Sequence, residues 1–161
     1  MKTKPMLVLL AFCLLPLAGQ ENLFRNGDLE KSGGWKGDGR VMAENGKTDN
    51  KVWAMPLGPK LKSFSQTISL NGKQKVLVVS FRVRASEDYA AGNPDLPLLE
   101  MRFSAPGEPS YSRQIMVTEK KVWRTYTYPI ACEGYKSIAF SFWSPDGRGT
   151  LEFDDFAAIA K

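Results

Sequence analysis

Val76-Leu77-Val78-Val79-Ser80-Phe81-Arg82-Val83-Arg84-Ala85 is the stretch that decides the fold class. From Val79 onward apolar and polar residues alternate. Val79, Phe81 and Val83 share one side, and Ser80, Arg82 and Arg84 the other. A period of two belongs to a β-strand with one face in a core and one toward water. The same style extends outward in both directions. Val52 to Met55 and Phe64 to Leu70 precede it as predicted strands. Leu98 to Phe103, Arg113 to Thr118, Trp123 to Ile130, Ser137 to Ser144 and Thr150 to Ile159 follow. Asn71-Gly72 predicts a tight turn into Val76, and Ser144-Pro145-Asp146-Gly147 a turn joining the last two strands. In the latter, Pro presets φ, Asp bonds locally and Gly tolerates positive φ. No long window has apolar residues at helical spacing. Many short strands between turn signals predict an all-β fold, an antiparallel sandwich or barrel.

Alternation also assigns faces. Ile138, Phe140 and Phe142 share one side of their strand, and Ala139, Ser141 and Trp143 the other. A sandwich buries one face of each strand and presents the other. Arg82, Arg84 and Trp143 are therefore expected on an exposed sheet surface, joined by Glu100 and Arg102 and, by similar placement, Gln114. The segment from Ser86 to Pro97, with Gly92, Asn93-Pro94 and Pro97, reads as a long irregular loop of the kind that often carries function.

Composition narrows the chemistry. The chain has 161 residues and no histidine, which excludes a Ser-His-Asp triad, a Cys-His dyad and any His-ligated metal site within it. Residues 1–19 carry Lys2 and Lys4 ahead of an apolar run from Met6 to Leu15, then Pro16 and Ala18-Gly19. This is the layout of a secretory signal peptide, with residues 20–161 as one secreted domain, extracellular or periplasmic. Gln20 stands where a lipoprotein would need its lipidated cysteine. No membrane span is expected once the leader is removed. Cys132 is then the one cysteine left, read as a small buried residue. Without Lys2 and Lys4 the net charge of +5 falls to +3. Its basic residues are scattered, apart from Lys120-Lys121 and the lysines around Lys60, so no nucleic-acid partner is expected.

The opening Asn22-Leu23-Phe24-Arg25-Asn26-Gly27-Asp28-Leu29-Glu30, with Gly34-Trp35 behind it, resembles the start of jelly-roll carbohydrate-binding modules of the cellulose-, xylan- and β-glucan-binding group, within the galactose-binding-like fold. Phe64-Ser65-Gln66-Thr67-Ile68-Ser69-Leu70, Val79 to Ala85, Trp123-Arg124-Thr125-Tyr126 and Thr150 to Phe156 match further strands in the family's order. Leu29 replaces the usual Phe. The resemblance implies a jelly-roll β-sandwich and a structural calcium ion. In it, Glu30 and Asp154 would give side-chain oxygens, Asp28 a backbone carbonyl, and the Asp49 region the rest. Calcium takes six to eight oxygen ligands of this mixed kind.

The resemblance also implies a glycan ligand. Sugar rings stack their C–H faces on Trp or Tyr, and their hydroxyls need amides, carboxylates or guanidinium groups. Trp35 and Trp123 fall at family positions that pack in the core. Trp143 and Trp53 are the ligand candidates, followed by Tyr89 in the long loop and Tyr111. Arg82, Arg84, Glu100, Arg102 and Gln114 would supply polar contacts, and the number of arginines suggests an anionic polysaccharide. Two rival functions stand beside this one. The first is a scaffold or adhesion domain whose sheet meets a cell-envelope protein or polymer, since fold does not fix function. The second is a small glycoside hydrolase or lyase using paired carboxylates such as Glu100 and Asp95.

Overall fold

The computed structural model describes residues 20–161 except 32, 45, 48 and 93–97. The expected leader and Asp95 lie outside the described residues. Among the described residues twelve strands run in chain order. They are β1 (Lys36–Gly37), β2 (Arg40–Ala43), β3 (Lys51–Pro56), β4 (Lys62–Ser69), β5 (Val76–Ala85) and β6 (Ala90–Ala91). Then come β7 (Leu98–Ser104), β8 (Tyr111–Met116), β9 (Arg124–Ala131), β10 (Ser137–Ser144), β11 (Gly147–Arg148) and β12 (Thr150–Ala160). Among the described residues no helix is long and apolar enough to cross a membrane.

Two five-stranded antiparallel sheets form the sandwich. The front sheet has the order β1-β4-β10-β7-β8 and the back sheet β2-β3-β12-β5-β9, with β6 and β11 as a separate two-stranded ribbon. Strands consecutive in sequence often lie in opposite sheets. Asn71-Gly72 does turn, with Gly72 at φ 76°, but it carries the chain from β4 in front to β5 behind rather than closing a hairpin. The Pro145-Asp146-Gly147 turn likewise takes the chain from β10 in front to β12 behind, through β11, so its flanking strands do not pair. The jelly roll alternates sheets where local turn signals suggest neighbours.

Strand β5 shows the alternation at full length: Leu77, Val79, Phe81, Val83 and Ala85 are all buried, and each intervening residue is partly exposed. Between the sheets lies an aromatic cluster. Phe142 stacks on Phe64 at 5.0 Å and meets Phe81 edge-on at 4.8 Å; Phe64 meets Phe153 at 4.8 Å and Trp35 packs 4.2 Å from Phe156. Cys132 is buried at the margin of this core, and burial pushes its thiol pKa up.

The opening motif is structural. The amide of Leu23 donates to Ala158 and that of Phe156 to Gly27, so this segment lies along β12. Asn22 brackets the same strand, donating to the Phe156 carbonyl and accepting from the Ala158 amide. A side chain on Gly27 would come within 2.1 Å of the Phe156 carbonyl oxygen, which only glycine avoids. In β12 the register slips between Asp154 and Ala157 at a β-bulge, with Asp155 at φ 51°.

Candidate functional site

The outer face of the front sheet is built from cross-strand rows. One reads Ser63, Trp143, Glu100, Gln114; the next reads Lys36, Ser65, Ser141, Arg102, Ser112. A third has Thr67, Ala139 and Ser104. Trp143 is the single aromatic in these rows, and most of its neighbours are serine, threonine or alanine. Small side chains leave a wide floor from which one indole and a few long polar groups stand out. Leu61, Glu100, Arg102, Gln114, Trp143 and Pro145 line a shallow depression of about 240 Å³ there. The alternation thus brought four expected residues together: Trp143, Glu100, Arg102 and Gln114. Leu61, just before β4, carried no sequence signal beyond its apolar type, and Pro145, just after β10, was read only as part of a turn.

The polar groups in this depression are pre-set. Arg102 places its guanidinium carbon 4.4 Å from the centre of the Trp143 ring. Its Nε and Nη2 both reach Glu100 Oε2, at 2.7 and 2.6 Å. The hydrogen bond from Arg102 is the main cause that lowers the Glu100 carboxyl pKa, outweighing partial burial. The Trp143 indole N–H donates to Ser141 Oγ at 2.6 Å.

Other expectations are corrected. Arg82 and Arg84 lie on the outer face of the back sheet, on the opposite side of the molecule from Trp143, because β5 and β10 belong to different sheets. Alternation separates inward from outward but does not name the sheet. Trp53 is buried at 7% exposure, 5.3 Å from the Phe64 ring, and its N–H donates to the Asp38 carbonyl. Tyr89 is likewise buried at 6%, since its loop folds it inward, and burial raises its pKa. Tyr111 is half exposed but sits on the inner side of edge strand β8, stacked 5.7 Å from Phe103. None of these three shares the Trp143 surface. Trp123, expected in the core, lies instead over the back sheet with the guanidinium carbons of Arg82 and Arg84 at 4.5 and 4.6 Å from its ring. Lys121, at φ 61°, bonds to the Ala85 carbonyl, which pins this segment across the end of β5.

That back-sheet cluster is an ion-pair network. Arg84 bridges Glu152 at 2.5 Å and Glu44 at 3.1 Å, and Arg82 holds Asp154 at 2.5 Å. Arg82 Nε lies 3.0 Å from Asp155, an ionic contact without hydrogen-bond alignment. Asn50 donates to both Glu44 and Asp154, and the Trp123 N–H donates to Glu44. For Glu44, 2% exposed, burial favours the neutral acid, but hydrogen bonds from Lys47, Trp123 and Asn50 prevail and hold its pKa at about 2. Because the folded value lies below the ordinary 4.5, Glu44 stabilises the fold above pH 4.5 and that contribution disappears as pH falls through about 2. Denaturant unfolding across this acid range is expected to show the loss, and Glu44→Gln to flatten the slope while lowering stability at neutral pH.

Two of the residues expected around calcium contact the segment that follows Asp49. Asn50 touches Asp154, and the next residue, Lys51, gives its amide to Glu30 Oε1 at 2.9 Å. Their carboxylates are already engaged by internal cations: Arg82 on Asp154, and the Lys51 ammonium on Glu30 at 3.7 Å. Asp49 is exposed and Asp28 accepts only a long bond from the Glu30 amide. Among the described residues no group of three or more acidic side chains converges as a metal site. In this arrangement the Asp154 and Glu30 carboxylates are each paired with a basic side chain.

No protein-family model and no curated protein sequence matches the chain. Its fold, by contrast, is shared with solved structures. A family 61 carbohydrate-binding module in complex with β-1,4-galactotriose is similar with a TM-score of 0.65 at 16% identity, over 88% of this chain and 99% of the other. A family 4 module gives 0.62 at 16%, over 86% and 99%. The enzymatically active domain of bacteriophage CBA120 tailspike protein 4 gives 0.61 at 14%, over 87% of this chain but 21% of its own. At these identities the likeness establishes the jelly-roll fold of carbohydrate-binding modules.

Proposed function

We propose that this chain is a non-catalytic, exported module that binds a polysaccharide or glycan on the outer face of the front sheet. The observation that carries the reading is Trp143, the lone outward aromatic on a floor of small hydroxyl side chains, with Glu100, Arg102 and Gln114 at its border. Such a floor admits a chain of rings lying across the strands. The indole and the guanidinium stacked on it provide flat surface for a sugar C–H face, and the carboxylate and amide orient hydroxyls. The similar module in complex with β-1,4-galactotriose supports a β-linked glycan. Glu100 suits this orienting role better than that of a general acid, which needs a raised pKa, whereas Arg102 lowers it.

Affinity electrophoresis and calorimetry with β-1,4-galactan, xylan and mixed-linkage β-glucan test the proposal. The wild type is expected to bind at least one of them, and Trp143→Ala to weaken that binding ~30-fold or more, the usual consequence of truncating a central aromatic anchor. Binding that survives Trp143→Ala unchanged, or no binding to any glycan, would remove this reading. Capture of a cell-envelope protein instead would favour the adhesion alternative.

A further inference from the structure

We infer that the Arg102–Glu100 pair sets the specificity of this face, admitting neutral glycans and rejecting carboxylated ones; the inference rests on the glycan-binding reading above. The arginines that suggested an anionic ligand are each neutralised within the protein. Arg82 and Arg84 belong to the opposite face and to their own carboxylates. At the Trp143 depression Arg102 is the one cation in the lining and Glu100 the one anion. The Nε–Nη2 edge of Arg102, the edge that clasps a carboxylate in a fork, is spent on Glu100 Oε2. A uronate approaching that guanidinium would have to displace the tethered carboxylate from the Nε–Nη2 edge or bind at the remaining Nη1 end. It would then sit beside that carboxylate, in a shallow site where like charges repel. The register makes the arrangement firm. Glu100 stands directly opposite Trp143 and Arg102 opposite Ser141, so the guanidinium reaches diagonally over the indole while its partner stays beside the ring. A neutral sugar meets a lining in which the charges of Arg102 and Glu100 balance, with Ser112 as a second donor to Glu100 and the exposed Gln114 amide facing its hydroxyls.

The decisive comparison is Glu100→Gln, which keeps the shape of the side chain and releases the guanidinium charge. Wild type and variant would be titrated with β-1,4-galactan or mixed-linkage β-glucan and with polygalacturonate, at low and high salt. The wild type is expected to favour the neutral polymer ~10-fold or more. In Glu100→Gln the ratio of neutral to acidic affinity is expected to fall by ~10-fold, with the acidic binding abolished by high salt because it depends on an exposed charge. A wild type that prefers polygalacturonate, or a variant with an unchanged ratio, overturns the inference while leaving glycan binding intact. A wild type and variant that bind neither polymer overturn the glycan-binding reading, and the inference falls with it.

Discussion

Phe142→Ala is expected to destabilise the protein by about 3–5 kcal/mol, the range for deleting a fully buried Phe side chain. Phe142 stacks on Phe64 and meets Phe81, Phe153 and Phe156 at ring distances of 4.8 to 5.7 Å, which places it where the two sheets join. Its loss removes both the transfer energy of the ring and several aromatic contacts, each worth about 0.5–1.5 kcal/mol. The four rings around the vacancy belong to three strands, β4 in one sheet and β5 and β12 in the other, so they cannot collapse together without shifting both sheets. Against a total stability of about 5–15 kcal/mol, this is a large fraction, and thermal unfolding is expected on the order of 10 °C lower. Trp143→Ala, one residue away but on the outer face, is expected to lose its stacking with Arg102 and its hydrogen bond to Ser141, about 1–2 kcal/mol. Two adjacent aromatics thus separate stability from binding. Equal stability losses in the two variants would contradict the orientation of β10.

Arg82→Met carries the second large effect. Asp154 is 1% exposed and its cation is Arg82, at 2.5 Å. Removing one partner of a buried pair leaves an uncompensated charge, at a cost of about 3–5 kcal/mol, whereas replacing both by apolar groups is often neutral. Arg82→Met combined with Asp154→Leu is therefore expected to recover much of the loss in denaturant unfolding. The same pair bears on the calcium question. Arg82 and Lys51 already supply the positive charge that the family resemblance gives to an ion, so neither calcium nor a chelator is expected to move the Tm of the wild type. A rise with calcium would show the ion displacing these side chains and would reverse this account of the site.

Much of the fold was legible because alternation is unbroken where one face is buried and one is wet. Val76–Ala85 and Ser137–Ser144 are strands with the bounds read from their sequence. What alternation cannot encode is which sheet a strand joins, and this is why Arg82 and Trp143 were placed together though they point in opposite directions. Trp53 was misplaced for a related reason. Val52, Trp53, Ala54 and Met55 are all buried, so β3 presents no wet face to betray its orientation. Tyr89 sits in a loop, where no period exists to assign it. Glu44 and Asn50 were missed because their partners, Arg84, Trp123 and Asp154, are supplied by distant segments.

The bulge in β12 has a consequence for how this strand tolerates changes in length. Asp155 and Phe156 together face Phe81, so Asp154 and Asp155 can both turn toward Arg82 although strict alternation would part them. The strand thus holds two reading frames in opposite phase: Leu151 and Phe153 inward before the splice, Phe156 and Ala158 inward after it. A chain one residue shorter at Asp155 would merge the frames and keep all four inward, at the cost of one Arg82 contact. The same deletion elsewhere in the strand would turn half of these side chains out to water.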